Sequence, residues 1–96
     1  MVFLELLELL RSKNFSFEER GKNIKIDLEK SRIDLKELKQ KILGAGFSIK
    51  KPSGKDNFIL LFFGQAHVAT IVEEKTLLLH NVEEKKEATV QLVSAL

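Results

Sequence analysis

An α+β fold built on one antiparallel sheet is what this sequence predicts, and three observations predict it. The first is the stretch from Phe58 to His80. It holds three apolar runs of strand length, Phe58–Phe63, Ala66–Val72 and Thr76–His80, separated by Gly64-Gln65 and Glu73-Glu74-Lys75. Short polar breaks between such runs predict a three-stranded antiparallel meander. The second is a pair of alternating segments around Arg20-Gly21-Lys22-Asn23, and the third is a set of three helical patterns interleaved with the strands. The predicted order is helix, strand hairpin, helix, four strands, helix, with the last two helices on one side of the sheet.

Each element has its own signal. Residues 2 to about 12 predict an amphipathic helix: Phe3, Leu6, Leu7 and Leu10 follow i, i+3, i+4, i+7 spacing, and Val2, Leu4 and Leu9 widen the stripe. Only Glu5 and Glu8 interrupt it before Arg11, Ser12 and Lys13. Phe15 to Leu28 alternates apolar and polar residues about the glycine turn, as a hairpin does. Asp34 with Glu37 three residues on has capping-box spacing. Leu35, Leu38, Ile42 and Leu43 supply the stripe of the helix it opens, which Gly44 and Gly46 end. Phe47–Lys50 is a short strand, and Lys51–Asn57, with the only proline, is a loop. Glu83 to Leu96 predicts a last helix offering Ala88, Leu92, Ala95 and Leu96 to the core.

With a two-residue turn at Gly64-Gln65, strict alternation puts Phe62 opposite His67, Leu60 opposite Ala69 and Phe58 opposite Ile71. The other face then carries Ile59, Leu61 and Phe63 against Ala66, Val68 and Thr70. Both faces read as apolar, so both need cover. The leucine-rich first helix is the only candidate for the second face. It is therefore expected on the side opposite the other two helices, over Ile59, Leu61, Phe63, Val68 and Leu78, in cis or from a second copy.

Composition narrows the classes of function. Ninety-six residues make one domain, 44% hydrophobic and 31% charged, too apolar for disorder. Sixteen basic residues against 14 acidic ones leave a net charge of +2, which does not by itself indicate a nucleic-acid binder. There is no cysteine, so disulfides, thiolate zinc sites and cysteine nucleophiles are excluded. The content of Lys, Glu, Leu and Ile suits a thermophile. The first ten residues lack a basic n-region and carry two glutamates, unlike a signal peptide, and no run is long enough to span a membrane. A cytoplasmic protein is expected.

The segment from about Asn23 onward resembles the C-terminal domain of ThiF/MoeB/HesA-type adenylating enzymes. Gly21-Lys22-Asn23-Ile24-Lys25-Ile26 is similar to that family's Gly-Arg-Asn-hydrophobic-x-hydrophobic strand. Ile33-Asp34-Leu35-Lys36-Glu37-Leu38 with Leu43-Gly44 is similar to its Ile-Asp-Leu helix ending in glycine. Phe58 to His80 runs without a gap along its paired strands, and Ala88 falls at a helix alanine. The element order from the second strand onward is also that of each half of the TATA-binding protein. The departures are specific. These 96 residues hold no glycine-rich nucleotide loop, Glu19 and Arg20 stand where the family often has a cysteine, and Glu74-Lys75-Thr76 replaces its Asp-Gly-Arg turn. Leu61, Phe63 and Val68 occupy hairpin positions that are commonly charged in the family. The resemblance implies the fold and a link to ubiquitin-like or sulfur-carrier activation, but no ATP chemistry.

No catalytic residue, metal ligand or cofactor site is expected. His67 and His80 are the only histidines, and the expected register brings no carboxylates to them. Glu18-Glu19, Glu73-Glu74 and Glu83-Glu84 are adjacent pairs that splay apart on a strand or sit in turns. The chain ends on Leu96 with no diglycine, so a ubiquitin-like substrate is not expected. Two binding expectations remain. One is a protein-interaction or oligomerisation domain, a homodimer or a protein complex, using Phe3, Leu6, Leu7, Leu10, Leu61, Phe63 and Val68. The alternative is a nucleic-acid-binding module with Lys22, Lys25, Lys50, Lys51 and Lys55 as candidate phosphate contacts on a sheet rim.

Overall fold

The computed structural model describes residues 2–54 and 57–96, apart from the side chains of Val2 and Phe3. Its elements are α1 (Val2–Ser12), β1 (Ser16–Arg20), β2 (Asn23–Asp27), α2 (Leu35–Gly44), β3 (Ser48–Lys50), β4 (Phe58–Phe63), β5 (Ala66–Val72), β6 (Thr76–Leu79) and α3 (Lys86–Ala95). The six strands form one sheet in the order β1-β2-β6-β5-β4-β3, and every neighbouring pair is antiparallel. The fold class is α+β, as the patterning predicts.

Local chemistry sets the boundaries. The Asp34 carboxylate accepts the Glu37 N–H at 3.1 Å, capping the first turn of α2. The β4–β5 turn is a two-residue loop in which Gly64 takes φ +64°, and Phe63 pairs with Ala66 across it. The β5–β6 turn uses less suitable residues: Glu73 and Glu74 both take positive φ, 53° and 60°, within a turn closed by Lys75 N–H to Val72 O at 3.0 Å. Side chains with a Cβ are strained there. Glu73→Asn with Glu74→Gly is expected to raise stability by about 1–2 kcal/mol, measured as the shift of the urea midpoint at unchanged slope.

One feature of β5 overturns the expected register. Phe62 does pair with His67, but Leu61 pairs with Ala69, so Val68 is an extra residue and the ladder bulges between Leu61 and Phe62. Beyond the bulge Leu60 faces Thr70, Ile59 faces Ile71 and Phe58 faces Val72, one step from the alternation expected. The step sorts the side chains. Ile59, Leu61, Val68, Ala69 and Ile71 join Ile24, Ile26, Leu77 and Leu79 on a single buried face. Leu78, placed by the sequence reading with Ile59 and Leu61, pairs with Thr70 and Lys25 and points the other way.

The helices follow that sorting. α1 packs beside α3, the Arg11 guanidinium lies 5.9 Å from the ring of Phe17, and Lys13 Nζ reaches Ser94 O at 3.5 Å. Phe17 pairs with Ile26 and so belongs to the buried face. α1 therefore lies on the same side as α3, and the expectation that it covers the opposite face is corrected. The bulge is the physical reason, since it concentrates the large aliphatic residues on one face and that face recruits every helix. Leu6, Leu7 and Leu10 are buried in the chain's own core, with Leu38, Ile42, Leu92 and Val93 from the other helices.

Two smaller expectations change as well. α3 begins at Lys86, after a turn over Val82–Lys85, and buries Thr89, Leu92 and Val93 more deeply than Ala88, Ala95 and Leu96. Leu43 is 56% exposed on the outer side of α2.

Candidate functional site: the open sheet face

Three helices on one side leave the other face of the sheet without a covering element among the described residues. Reading across the strands, β1 offers Ser16, Glu18 and Arg20, β2 offers Asn23, Lys25 and Asp27, and β6 offers Thr76 and Leu78. β5 offers His67, Thr70 and Val72, β4 offers Phe58, Leu60 and Phe62, and β3 offers Ser48 and Lys50. The flanks are polar and the centre is apolar. A solvated sheet face ordinarily alternates to polar residues. Here Leu60, Phe62, Val72 and Leu78 are half-buried and Phe58 is 37% exposed, with no helix above them. Phe58, Leu60, Val72 and Leu78, with Pro52 and Ser53 of the preceding loop, line a shallow concavity of about 500 Å³ floored by Thr70 and His80.

The polar floor is organised around Thr70, which is 6% exposed. Its Oγ1 lies 2.9 Å from His67 Nε2 and 2.7 Å from His80 Nε2, and the two rings stand 4.6 Å apart between centroids. The bulge brings them there. It turns Thr70 and His67 to the same face, while the His80 N–H donates to Val68 O at 2.9 Å and holds the end of β6 against the bulged segment. His67 also stacks on Phe62 with centroids 5.0 Å apart, and Lys50 Nζ sits 4.9 Å from that ring. Lys85 Nζ donates to His67 O at 2.7 Å.

Burial lowers the His80 pKa below its usual 6.5, and the nearby His67 and Lys85 push it the same way. The unfolded chain therefore binds a proton more tightly than folded His80 does. Stability is expected to fall as pH drops through 6.5 and to level off once folded His80 is itself protonated. Thermal melts from pH 7.5 to 4.5 check this, and His80→Gln should flatten that limb of the profile.

The residues singled out from sequence are scattered. Leu6, Leu7, Leu10, Leu61 and Val68 are buried in the core and present no surface to a partner. Phe63 is 38% exposed at the end of β4 and packs on Phe47, with centroids 4.9 Å apart. The Phe3 side chain and Lys55 lie outside the described residues. The lysines do not form one rim. Lys25 lies on β2 and Lys50 on β3, with β6, β5 and β4 between them, so they flank the apolar centre from opposite sides. Lys22 sits in the β1–β2 turn and Lys51 just after β3. Sequence reasoning assigned neither Thr70 nor the outer aliphatic set to a site, because without the bulge Thr70 falls on the other face. Among the described residues no group of three or more His, Cys, Asp or Glu side chains could hold a metal, and no helix is long and apolar enough to cross a membrane.

The fold and the site together define a one-layer antiparallel sheet, backed by three helices and open on an apolar-centred face. No family model, curated protein or solved structure matches the chain.

Proposed function

We propose that this protein is a non-catalytic interaction domain that docks through its open sheet face, and that its partner there is a second copy of the chain. The observation that carries the reading is the apolar centre formed by Phe58, Leu60, Phe62, Val72 and Leu78, with polar flanks around it. Apolar core and polar rim is the anatomy of a protein interface. Charge placement allows self-association. The β1–β2 flank carries Glu18 and Asp27 beside Arg20 and Lys25, with Arg20 paired to Glu18, and the β3 flank carries Lys50. A two-fold axis along the strands would stack the first flank of one copy over the second flank of its partner, carboxylates toward the lysine. The resemblance to adenylating-enzyme C-terminal domains supports a link between such a module and ubiquitin-like or sulfur-carrier activation, as a component without its own chemistry.

Sedimentation velocity tests it. The native chain is expected to run at twice its 11.0 kDa mass, and Leu78→Asp, on the open face, is expected to be a folded monomer. A native chain that stays monomeric at high concentration overturns the reading.

One observation favours a nucleic-acid module instead. Phe58 and Phe62 sit four residues apart on the open face of β4, with Lys25 and Lys50 on its flanks, an arrangement able to stack bases. Fluorescence anisotropy with single- and double-stranded DNA and RNA separates the two. Tight binding with a steep salt slope would replace the docking reading with this one.

A further inference from the structure

Thr70 has one proton to give and two lone pairs to offer, which limits the charge its two histidines can carry. With Thr70 O–H donating to one Nε2, that ring must lack a proton there. The other ring donates its Nε2–H to Oγ1, and it does so as neutral imidazole or as imidazolium. The triad is thus satisfied with zero or one positive charge. A second charge puts hydrogens on both Nε2 atoms, leaves the Thr70 proton without an acceptor in a site 6% exposed, and sets two cations 4.6 Å apart.

The surroundings offer no relief. From the segment before α3 comes Lys85, bonded to His67 O, and from β3 comes Lys50 above Phe62. The acidic neighbour Glu84 is held by Asn81 Nδ2, and among the described residues no carboxylate pairs with either ring. The other side of the triad is the apolar concavity lined by Leu60, Leu78 and Phe58.

We propose that His67, Thr70 and His80 form an acid-sensitive latch in the open sheet face. The face docks while the triad is closed, and the second proton breaks the triad and releases the partner. The inference rests on the docking reading given above. Release follows because an opened triad presents charge to an apolar contact, where an unpaired ion is costly.

The chain has two histidines only, so their ring resonances report the triad directly. In an NMR titration of the native chain from pH 8 to 4.5, the His80 ring is expected to take its proton below 6.5, as its burial dictates. Thr70→Val is expected to move that step. In parallel, sedimentation equilibrium from pH 7.5 to 5 is expected to show the dimer dissociation constant rising up to a hundredfold per pH unit, the limit for uptake of one proton by each of the two chains. His80→Gln is expected to remove that slope, whatever its affinity, with circular dichroism at each pH showing that the fold persists. A dimer constant independent of pH overturns the latch and leaves the docking reading intact. A chain monomeric at every pH overturns the docking reading and the release step with it. A His80 ring whose titration is unchanged by Thr70→Val overturns the triad in either case.

Discussion

Removing residues 1–12 is expected to leave a chain that no longer folds. The truncation takes away Leu6, Leu7 and Leu10, which are 2%, 8% and 0% exposed. Burying three such side chains is worth about 4.5–9 kcal/mol, against a total stability of about 5–14 kcal/mol for a chain of this size. The loss does not end there, because α1 packs beside α3, whose Leu92 and Val93 belong to the same core. Circular dichroism and amide proton dispersion of the truncated chain check the outcome. A cooperative thermal transition in the truncated chain would mean that α1 is an appendage to a core complete without it. Leu10→Ala in the full chain is the milder form, expected to cost about 2–5 kcal/mol.

The elements themselves were legible because their signals are local. Asp34 with Glu37 marks a helix start through one side-chain hydrogen bond, and Gly64-Gln65 marks a hairpin through the φ that glycine permits. The i, i+3, i+4 leucines of α1 announce a buried stripe and single out Leu6, Leu7 and Leu10, whereas Leu4, read as widening that stripe, is exposed. What they do not announce is which surface the stripe meets. That depends on which side chains of β4 and β5 share a face, and the answer turns on one residue.

Val68 is that residue. Ala66-His67-Val68-Ala69-Thr70-Ile71-Val72 has no glycine or proline to mark a bulge, and its apolar residues are too continuous for alternation to reveal a slip. Strict period two mixes large aliphatics on both faces and calls for two covers. The bulge gathers Ile59, Leu61, Ala69 and Ile71 on one side, so a single layer of helices suffices. The candidate site was hidden for the same reason. His67 and Thr70 are three apart, on opposite faces of an unbroken strand, and they come within 2.9 Å only because the chain gains a residue between them. His80 reads in the sequence as the end of the last strand, and its ring meets Thr70 where its own N–H bonds to Val68 O beside the bulge.

The sharpest expected contrast is between two adjacent leucines of β4. Leu61 is 0% exposed and Leu60, one residue earlier, faces the open side with Thr70 opposite. Leu61→Asp places a carboxylate among Val68, Ala69 and the helices, where no cation reaches it among the described residues. A buried unpaired charge of this kind, added to the lost leucine, costs more than a small domain has to spare, so the variant is expected to be unfolded at 25 °C. Leu60→Asp meets water instead. It is expected to keep the fold, with a stability loss of about 1 kcal/mol or less, and to weaken self-association as Leu78→Asp does. Urea denaturation followed by circular dichroism reads the first difference, and sedimentation reads the second. If the two variants were equally destabilised, both leucines would be buried and the sheet would have no open face. A folded Leu61→Asp beside an unfolded Leu60→Asp would reverse the faces, and with them the register that the bulge at Val68 imposes.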